Sequence, residues 1–540
     1  MQKHAWDLPY ALRRIPSFAR NVVSATQPLA AQAGLQMLRQ GGNAIDAIIA
    51  AATTLTVVEP VSCGLGSDAF AIVWDGARLH ALNASGRSPA AITLEKVRSM
   101  MTMPEMGWDS VTVPGAVSGW VSLSKKFGRL PFSRLFEPAI DYATAGYLIT
   151  PTIARQLRGL RSVYADYPEA LKVFFASSLS PEPGTVIKLP HHARTLAAIA
   201  ESAGAEFYCG AIAKQIADYA KSTGGLLGLA DLEEHSADWV EPLKVSYRGV
   251  ELHELPPNGQ GVAALIALGM LNHFDLCSFP LESVDSVHLQ IEAMRLGFAD
   301  VYRHLSDIRT MRLDPKVFLE PAYLKRRASE ISLAEARFPK TGLPIDGGTT
   351  YLAAADANGV MVSYIQSSGR GFGSGIVIPD SGIALQQRGR SFSLDPSHPN
   401  CFGPRKRPFH TNIPAFVTRD QKPLGCFGLM GWNMQPQGHV QFLTRLIDYG
   451  QNPQAVLEAP RWRIAMDEPA ILLEKGTRPE LLAGLESRGH RIIDIEPTFS
   501  SASTPFGSEL CFGAAHMIVK LEHGYIAAAD PRRDGQAVGF

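Results

Sequence analysis

The most chemically suggestive residue of the chain is a threonine that follows two glycines at the start of a strand-like run. The segment 346–351 reads Asp-Gly-Gly-Thr-Thr-Tyr, so Thr349 directly follows Gly348. Glycine adopts backbone conformations that other residues avoid, so the Gly348 carbonyl could be bent toward the Thr349 hydroxyl. Attack by that hydroxyl would convert the amide into an ester, which water would then cleave. We therefore predict that the chain cuts itself between Gly348 and Thr349.

The released threonine would supply two catalytic groups. Its hydroxyl is a nucleophile, and its new α-amino group, with a pKa of about 7.7 to 8, is a base suited to neutral pH. Cleavage would divide the chain into a large fragment, 1–348, and a small fragment, 349–540. The alternative is that Gly-Gly-Thr-Thr is only a turn that enters a strand.

The elements that position this threonine are predicted from hydrophobic periodicity. Residues 350–356 and 360–366 are expected to form two strands joined by a turn. Helical periodicity dominates before Thr349 and strand patterns dominate after it, which predicts an α+β fold with two sheets between helical layers. One further short strand is expected at 376–378. The expected helices are 28–39, 44–56, 116–126, 194–203, 283–305, 437–449, 453–459 and 479–488. The polar segment 337–348 is expected to be accessible and mobile before cleavage.

Composition excludes several classes of function. The chain has 540 residues, and its 51 Lys and Arg balance its 51 Asp and Glu, so a nucleic-acid partner is not expected. No apolar run approaches the roughly 18 residues that a membrane span needs. Residues 1–22 are charged and lack a sustained apolar stretch, which predicts a cytoplasmic protein. The six cysteines are widely separated and are expected to be buried thiols without disulfides or zinc.

Other catalytic patterns are weak. Residues 64–69 fit a dinucleotide-binding pattern, but Pro60 interrupts the strand that should precede it. The serine hydrolase elbow Gly-x-Ser-x-Gly does not occur. His288 and Glu292 share a helical face without the second histidine of a metalloprotease helix, so we assign them to a packed or solvated helix. The predicted chemistry needs neither a metal nor a cofactor.

Further sequence blocks carry a resemblance to a known family. The chain resembles the γ-glutamyltranspeptidase family of N-terminal-nucleophile (Ntn) hydrolases over nearly its whole length. That resemblance implies a four-layer αββα sandwich, self-cleavage, and a heterodimer of the large and small fragments, with further dimerisation left open. The blocks, in order, are Gly41–Ala47, Val58–Pro60, Gly64–Phe70, Val113–Gly115, Phe127–Pro131, Gly224–Leu226, Leu255–Pro257, Arg295–Asp300, Phe372–Gly375 and Gly382–Leu385.

The resemblance also implies roles for individual residues. The family nucleophile falls at Thr349, and a supporting hydroxyl residue 18 positions later falls at Ser367. The Gly-Gly pair whose backbone N–H groups hold the oxyanion falls at Gly431 and Trp432. Tryptophan keeps its backbone donor, and its indole either narrows the pocket or packs in the core. The hydroxyl pair near the substrate pocket falls at His410 and Thr411.

Charge in this region indicates the substrate. In relatives that bind γ-glutamyl groups, an Asp holds the substrate α-amino group, and this chain has Arg390 at that place. A guanidinium repels an ammonium group and attracts a carboxylate. The family's carboxylate-binding Arg falls near Ser85, with Arg87 two positions on. The segment 370–407 contains six cationic residues and two acidic ones, which favours anion binding. The alternative for three of the cations, Arg405, Lys406 and Arg407, is a solvated surface turn.

These features predict an amidohydrolase that acts on a small carboxylate-bearing amide. Residues 387–396 and 398–400 resemble the oxamate amidohydrolase and glutathione hydrolase branch of the family, and oxamate is an amide with a carboxylate and no amine. One alternative is glutathione hydrolysis or γ-glutamyl transfer. A second is a processed but inactive binding scaffold.

Overall fold

The computed structural model describes residues 14–176, 180–338, 348–465, 469–495 and 511–540. Its strands are β1 Ser17–Ala19, β2 Val22–Ala25, β3 Asp68–Trp74, β4 Leu79–Ala84, β5 Tyr147–Leu148, β6 Val186–Ile187, β7 Asp238–Val240, β8 Leu243–Tyr247, β9 Val250–Glu254, β10 Gly348–Ala355, β11 Met361–Gly369, β12 Ala415–Arg419, β13 Lys422–Leu429, β14 Trp462–Ile464, β15 Ala470–Glu474, β16 Arg491–Ile495, β17 Ala515–Leu521, β18 Gly524–Ala529 and β19 Gln536–Gly539.

The α-helices within the described residues are α1 Pro28–Arg39, α2 Ala44–Val58, α3 Leu94–Ser99, α4 Ala116–Phe127, α5 Glu137–Ala145, α6 Pro151–Val163, α7 Pro168–Phe174, α8 Pro190–Glu201, α9 Ala205–Tyr208, α10 Ala211–Ser222, α11 Leu229–Glu233, α12 Val262–Leu271, α13 Val284–His304, α14 Pro321–Ala328, α15 Met434–Ile447, α16 Pro453–Glu458 and α17 Pro479–Ser487.

Two large sheets organise these elements. Sheet 1 has the strand order β1-β18-β17-β13-β12-β9-β8, and sheet 2 has the order β19-β2-β10-β11-β3-β4-β7. Neighbouring strands within both sheets are antiparallel. The central hairpin of sheet 2 is β10–β11, which places the predicted cleavage site in the interior of the sheet.

The two sheets pack face to face. Side chains alternate between the faces of a strand, and one set from each sheet forms a shared apolar layer. Sheet 2 contributes Phe70 and Tyr351, and sheet 1 contributes Phe416 and Ile518, all fully buried. The inner face of the β10–β11 hairpin is therefore excluded from solvent.

Helices cover the outer faces and complete the four-layer αββα arrangement. Helix α2 packs on β10 and β11 and is buried along its whole length. Helix α12, also wholly buried, packs on β8 and β9 and against α13. Helix α12 is purely apolar, and α2 is apolar apart from Asp46 and three threonines, which matches a position between a sheet and further helices. The α+β class and the layered architecture agree with the expectation from sequence.

The start of α2 is tied to the central hairpin. Asn43 caps the helix by accepting from the N–H groups of Ile45 and Asp46, and Asp46 accepts from Asn43 N–H in return. The Asp356 carboxylate, at the β10–β11 turn, accepts from Ala44 N–H at 2.9 Å. This contact uses an otherwise unpaired helix N–H group and fixes the hairpin against the helix.

The structure differs from two expectations, and a third falls on residues that it does not describe. Residues 376–378 form no strand, and only an isolated bridge joins Val377 to Ala384, because this stretch lies in a loop with positive φ angles at Gly373 and Gly375. Cys63 and Cys426 are buried as expected, but Cys209 and Cys277 are exposed and Cys401 and Cys511 are partly exposed, so the expectation of burial was wrong for these four. Residues 1–13 and 339–347, which include most of the polar segment before Thr349 and the charged N-terminus, lie outside the described residues.

The helices of the described chain include none that combines the length and hydropathy of a membrane span. Most predicted helices lie within a few residues of their expected bounds, as for 28–39, which forms α1.

Close packing between the sheets predicts a specific sensitivity. A Cβ atom at Gly428 would lie 2.4 Å from a ring carbon of Tyr351, which is fully buried and has no room to move. We expect Gly428→Ala to lower the free energy of unfolding by about 1–3 kcal/mol, the usual effect of overpacking. Urea unfolding followed by tryptophan fluorescence measures the change.

The matched control is Gly403→Ala, because a Cβ atom at Gly403 would meet no atom within 4 Å. Equal unfolding midpoints for the two variants would contradict the proposed packing of Tyr351 against Gly428.

Candidate active site

The predicted nucleophile lies at an irregularity of the β10–β11 ladder. Gly348 pairs with Gly369 and Thr350 pairs with Gln366, so the register shifts at Thr349. The Thr349 hydroxyl donates to Ser367 Oγ at 3.3 Å, and Ser367 Oγ also accepts from Gly369 N–H at 3.0 Å. A β-bulge redirects a side chain out of the regular ladder, and bulges are frequent beside active sites. The structure thus brings Thr349 and Ser367 together at the predicted cleavage bond.

Asp68 is the neighbour of Ser367 on the adjacent strand. The two residues are register partners in the β11–β3 pairing, so their side chains share the face between the sheets. Asp68 is fully buried, and its Oδ1 accepts from the N–H groups of Gly86 and Gly115 at 3.3 and 3.1 Å. Burial raises the pKa of this carboxyl to about 7, although the charge of Arg388 acts in the opposite direction.

His410 contacts the second oxygen of the Asp68 carboxyl group. Its Nδ1 accepts from Asn412 N–H at 3.1 Å, so the proton of the neutral ring is on Nε2, which donates to Asp68 Oδ2 at 3.3 Å. Burial, followed by the charges of Arg388 and Arg407, lowers the pKa of His410 well below its usual value. The imidazole is therefore a neutral hydrogen-bond donor at this site.

Arg388 is a buried cation in the same group. Its Nη1 donates to Thr411 Oγ1 at 2.9 Å and its Nη2 to Asn412 Oδ1 at 3.2 Å. Its Nε is buried and has no hydrogen-bond partner among the described residues. Burial lowers its pKa to about 10, which leaves the guanidinium charged at neutral pH. Arg388 therefore offers positive charge and an unused donor beside the predicted substrate residue Thr411.

The loop predicted to hold the oxyanion follows β13. Gly428, near the end of β13, packs on the ring of Tyr351, two residues after Thr349 on the same strand face. Gly431 has φ +113° and Trp432 has φ +59°, a conformation that non-glycine residues rarely adopt. Gln260 holds this loop, because its side-chain amide donates to the carbonyl oxygens of Thr411 and Trp432 at 2.8 and 2.7 Å.

Arg390 lies at the edge of the buried group, and its side chain is 9% exposed. Its guanidinium lies 5.0 Å from the ring centroid of Trp432 and its Nη2 lies 3.3 Å from Glu105 Oε1. Glu105 is largely exposed, whereas Trp432 is buried. The stack Glu105–Arg390–Trp432 therefore runs from the surface to the predicted oxyanion loop.

Arg87 is not brought to this group. It pairs with Asp238 at 3.5 Å and lines a cavity of about 210 Å³ together with Arg309, Arg405 and Glu234. Neighbouring Arg407 is buried, donates to the Ser85 carbonyl and pairs with Asp238, whereas Arg405 is exposed. The idea of a solvated turn thus holds for Arg405 and not for Lys406 or Arg407, which are buried.

Sequence reasoning missed four residues of the arrangement: Asp68, Arg388, Gln260 and Glu105. Asp68 belongs to the block Gly64–Phe70, where an acid at the start of an apolar strand was a usable signal. Arg388 stands two positions before Arg390, and only the fold shows that it is the buried one. Together the residues provide two neighbouring hydroxyl groups, a buried acid bonded to a histidine, a buried cation, and a loop with two positive φ angles.

Known proteins resemble the chain over nearly its whole length. The sequence model of the family described as Gamma-glutamyltranspeptidase matches residues 30–540. The chain is 33% identical to a glutathione hydrolase-like proenzyme of Bacillus subtilis over 96% of this chain and 98% of that protein. It is also 33% identical to the oxamate amidohydrolase proenzyme of Klebsiella pneumoniae, with the same shares covered.

A solved structure shares the whole fold. The cephalosporin acylase of Bacillus halodurans superposes with a TM-score of 0.92 and 42% identity, over 99% of each chain. The similarity extends over all four layers and includes the strands that carry Thr349 and Ser367.

The pKa of Asp68 predicts how stability changes with pH. Because the folded-state value, about 7, lies above the usual value of 3.8, this group stabilises the folded state fully below pH 3.8, and the contribution is lost as pH rises from 3.8 to 7. Asp68→Asn has no such proton to lose. We therefore expect the difference in unfolding free energy, wild type minus variant, to fall between pH 5 and pH 7 and to level off above pH 7 in urea titrations.

Asp307→Asn is the matched control, because hydrogen bonds from the Arg309 side chain and from Arg407 N–H hold the Asp307 pKa at about 2 despite burial. Its difference should stay constant over the same range. A constant difference for Asp68→Asn would show that the carboxyl does not titrate there.

Proposed function

The chain belongs to the gamma-glutamyltranspeptidase family and is an amidohydrolase of that family, and we propose that Thr349 is its nucleophile after self-cleavage. The observation that supports this most directly is the hydrogen bond between Thr349 and Ser367 at a ladder irregularity directly after Gly348. A buried hydroxyl next to the bond it would break needs no approach of a separate reactant. The relatives' description as proenzymes is consistent with such a step.

Self-cleavage would follow from this arrangement. Thr349 Oγ1 attacks the Gly348 carbonyl carbon, the C–N bond breaks, and the hydroxyl proton passes to the departing amine. Water then hydrolyses the ester, which leaves a carboxylate on Gly348 and an α-amino group on Thr349. Ser367, which accepts from the Thr349 hydroxyl, would hold it in position throughout.

Turnover would use the same hydroxyl. The new α-amino group removes the proton from Thr349 Oγ1, which attacks the substrate amide carbon; the amine leaves with a proton and water resolves the acyl-enzyme. The backbone N–H groups of Gly431 and Trp432 would stabilise the oxyanion. Gln260 would fix that loop relative to Thr411 through its two amide hydrogen bonds.

For the substrate we propose a small amide that carries a carboxylate, of the oxamate type. The support is Arg388, a fully buried cation with an unused Nε donor beside Thr411. Arg390, bonded to Glu105 and stacked on Trp432, would act at the entrance instead. The second candidate is hydrolysis of γ-glutamyl compounds, which the likeness to a glutathione hydrolase-like protein favours.

Removal of the Thr349 hydroxyl should abolish both reactions. We expect Thr349→Ala to stay a single chain of 540 residues without amidase activity, whereas wild type yields a second fragment of 192 residues. Denaturing electrophoresis and intact mass spectrometry measure this. Thr350→Ala is the matched control, because the Thr350 hydroxyl bonds to Gln366 O and not to Ser367, and this variant should be cut. Two fragments from Thr349→Ala would refute the assignment.

Substrate selectivity should follow the two arginines. We expect Arg388→Gln to raise KM for oxamate by about 10-fold or more, the usual effect of losing a charged hydrogen bond, with little effect on an uncharged acyl amide. We expect Arg390→Asp to weaken hydrolysis of amine-free acid amides and to favour a γ-glutamyl anilide. Steady-state kinetics on oxamate, glutathione and the anilide decide this, and unchanged ratios for both variants would remove the arginines from substrate binding.

A further inference from the structure

Two histidines and a glutamate meet at a buried position outside the predicted active site. His288 and Glu292 are four residues apart on α13 and thus share one face of the helix, and His490 lies between α17 and β16. One possible ligand atom from each lies within 4.8 Å of the other two. The three side chains are almost fully buried, with exposed fractions of 0, 2 and 3%.

The protonation of the two rings is fixed by their contacts. His288 Nε2 lies 2.7 Å from the Ser332 carbonyl oxygen, which only accepts, so Nδ1 of that ring carries a lone pair. His288 Nδ1 lies 2.8 Å from His490 Nε2, which must therefore donate. His490 Nδ1 is buried without a hydrogen-bond partner among the described residues.

The hydrogen bonds leave a lone pair on one nitrogen of each ring, as metal ligation requires. The bond from His288 to a backbone carbonyl matches the outer contact that orients a metal-ligating imidazole.

The carboxylate is held in a similar way. Glu292 Oε1 accepts from Arg295 at 2.7 Å and Oε2 accepts from Arg337 N–H at 2.9 Å, and each oxygen keeps a second lone pair. The nearby cations are paired, Arg295 with Glu292 and Arg488 with Asp285 at 2.5 Å.

We propose that His288, Glu292 and His490 bind a divalent first-row transition-metal ion, with Zn²⁺ as the reference ion. Two imidazole nitrogens and one carboxylate oxygen form a common three-residue donor set for such ions and leave a fourth position open. Two Zn–N bonds at a tetrahedral angle place their nitrogens about 3.3 Å apart, so the rings must separate by about 0.5 Å. The proton on His490 Nε2 moves to Nδ1 of the same ring, and no net proton is released.

The ion would also join the two predicted fragments. His288 and Glu292 precede Gly348, and His490 follows it. Ser332 and Arg337, which contact this group, lead into the segment before the cleavage bond. This consequence rests on the proposed self-cleavage, whereas metal binding itself does not.

Metal content tests the site directly. Wild type and uncut Thr349→Ala are stripped with a chelator, equilibrated with Zn²⁺ and measured by inductively coupled plasma mass spectrometry. We expect one ion per chain in both, so failure of the cleavage proposal leaves this result intact. His490→Gln keeps a donor for His288 Nδ1 but removes an imidazole ligand, and we expect at least tenfold weaker binding.

His523→Ala, which alters a largely exposed histidine, is the matched control and should bind as wild type does. Co²⁺ provides a check that needs no variant, because a four-coordinate site with nitrogen ligands gives visible d–d absorption. Less than one tenth of an ion per wild-type chain, equal affinity in His490→Gln, or absence of the Co²⁺ band would each overturn the proposal.

Discussion

The site depends on the burial of one hydroxyl within a hydrogen-bonded sheet that cannot move away from it. Thr349 is completely inaccessible, on a strand between β2 and β11, and α2 and the second sheet close both faces of that strand. A regular ladder would hold the Gly348–Thr349 peptide in an unreactive extended form. The register shift at Thr349 and the pairing of Gly348 with Gly369 provide local freedom where the rest of the hairpin is rigid. Rigid surroundings and one irregular residue together make a neighbouring-group attack geometrically reasonable.

Charge burial is the second constraint on the site. Asp68, His410 and Arg388 are each buried, and an isolated charge at such a depth would be costly. The group is stabilised because the Asp68 carboxylate accepts from two backbone N–H groups and from a neutral imidazole, and because Arg388 lies near enough to lower the Asp68 pKa. A substrate carboxylate that entered beside Arg388 would add a negative charge next to the Nε donor, which has no partner among the described residues. This electrostatic balance supports the proposed preference for acidic, amine-free amides over compounds that bring an ammonium group.

Several contacts join the parts of the chain before and after Gly348. Asp68 and Ser367 lie on adjacent strands, Gln260 bonds to Thr411 and Trp432, and His288 bonds to His490. Each large sheet contains strands from both parts. Cleavage at Thr349 would therefore leave two fragments whose backbones share hydrogen-bonded ladders, which explains physically why such a product would stay assembled.

Sequence alone determined the features that depend on local pattern. The Gly-Gly-Thr run before a strand indicated Thr349, the family resemblance implied the role of Ser367, and periodicity located α1, α2 and the β10–β11 hairpin. The tertiary structure decided where the arginines lie: Arg388 bonds to Thr411 and Asn412, Arg390 bonds to Glu105, and Arg87 lines a separate cavity. It also placed His490 beside His288, 202 residues earlier in the chain. Local sequence sets backbone preference over a few residues, whereas side-chain burial and charge pairing depend on elements that are distant in the chain and meet only when the sheets pack.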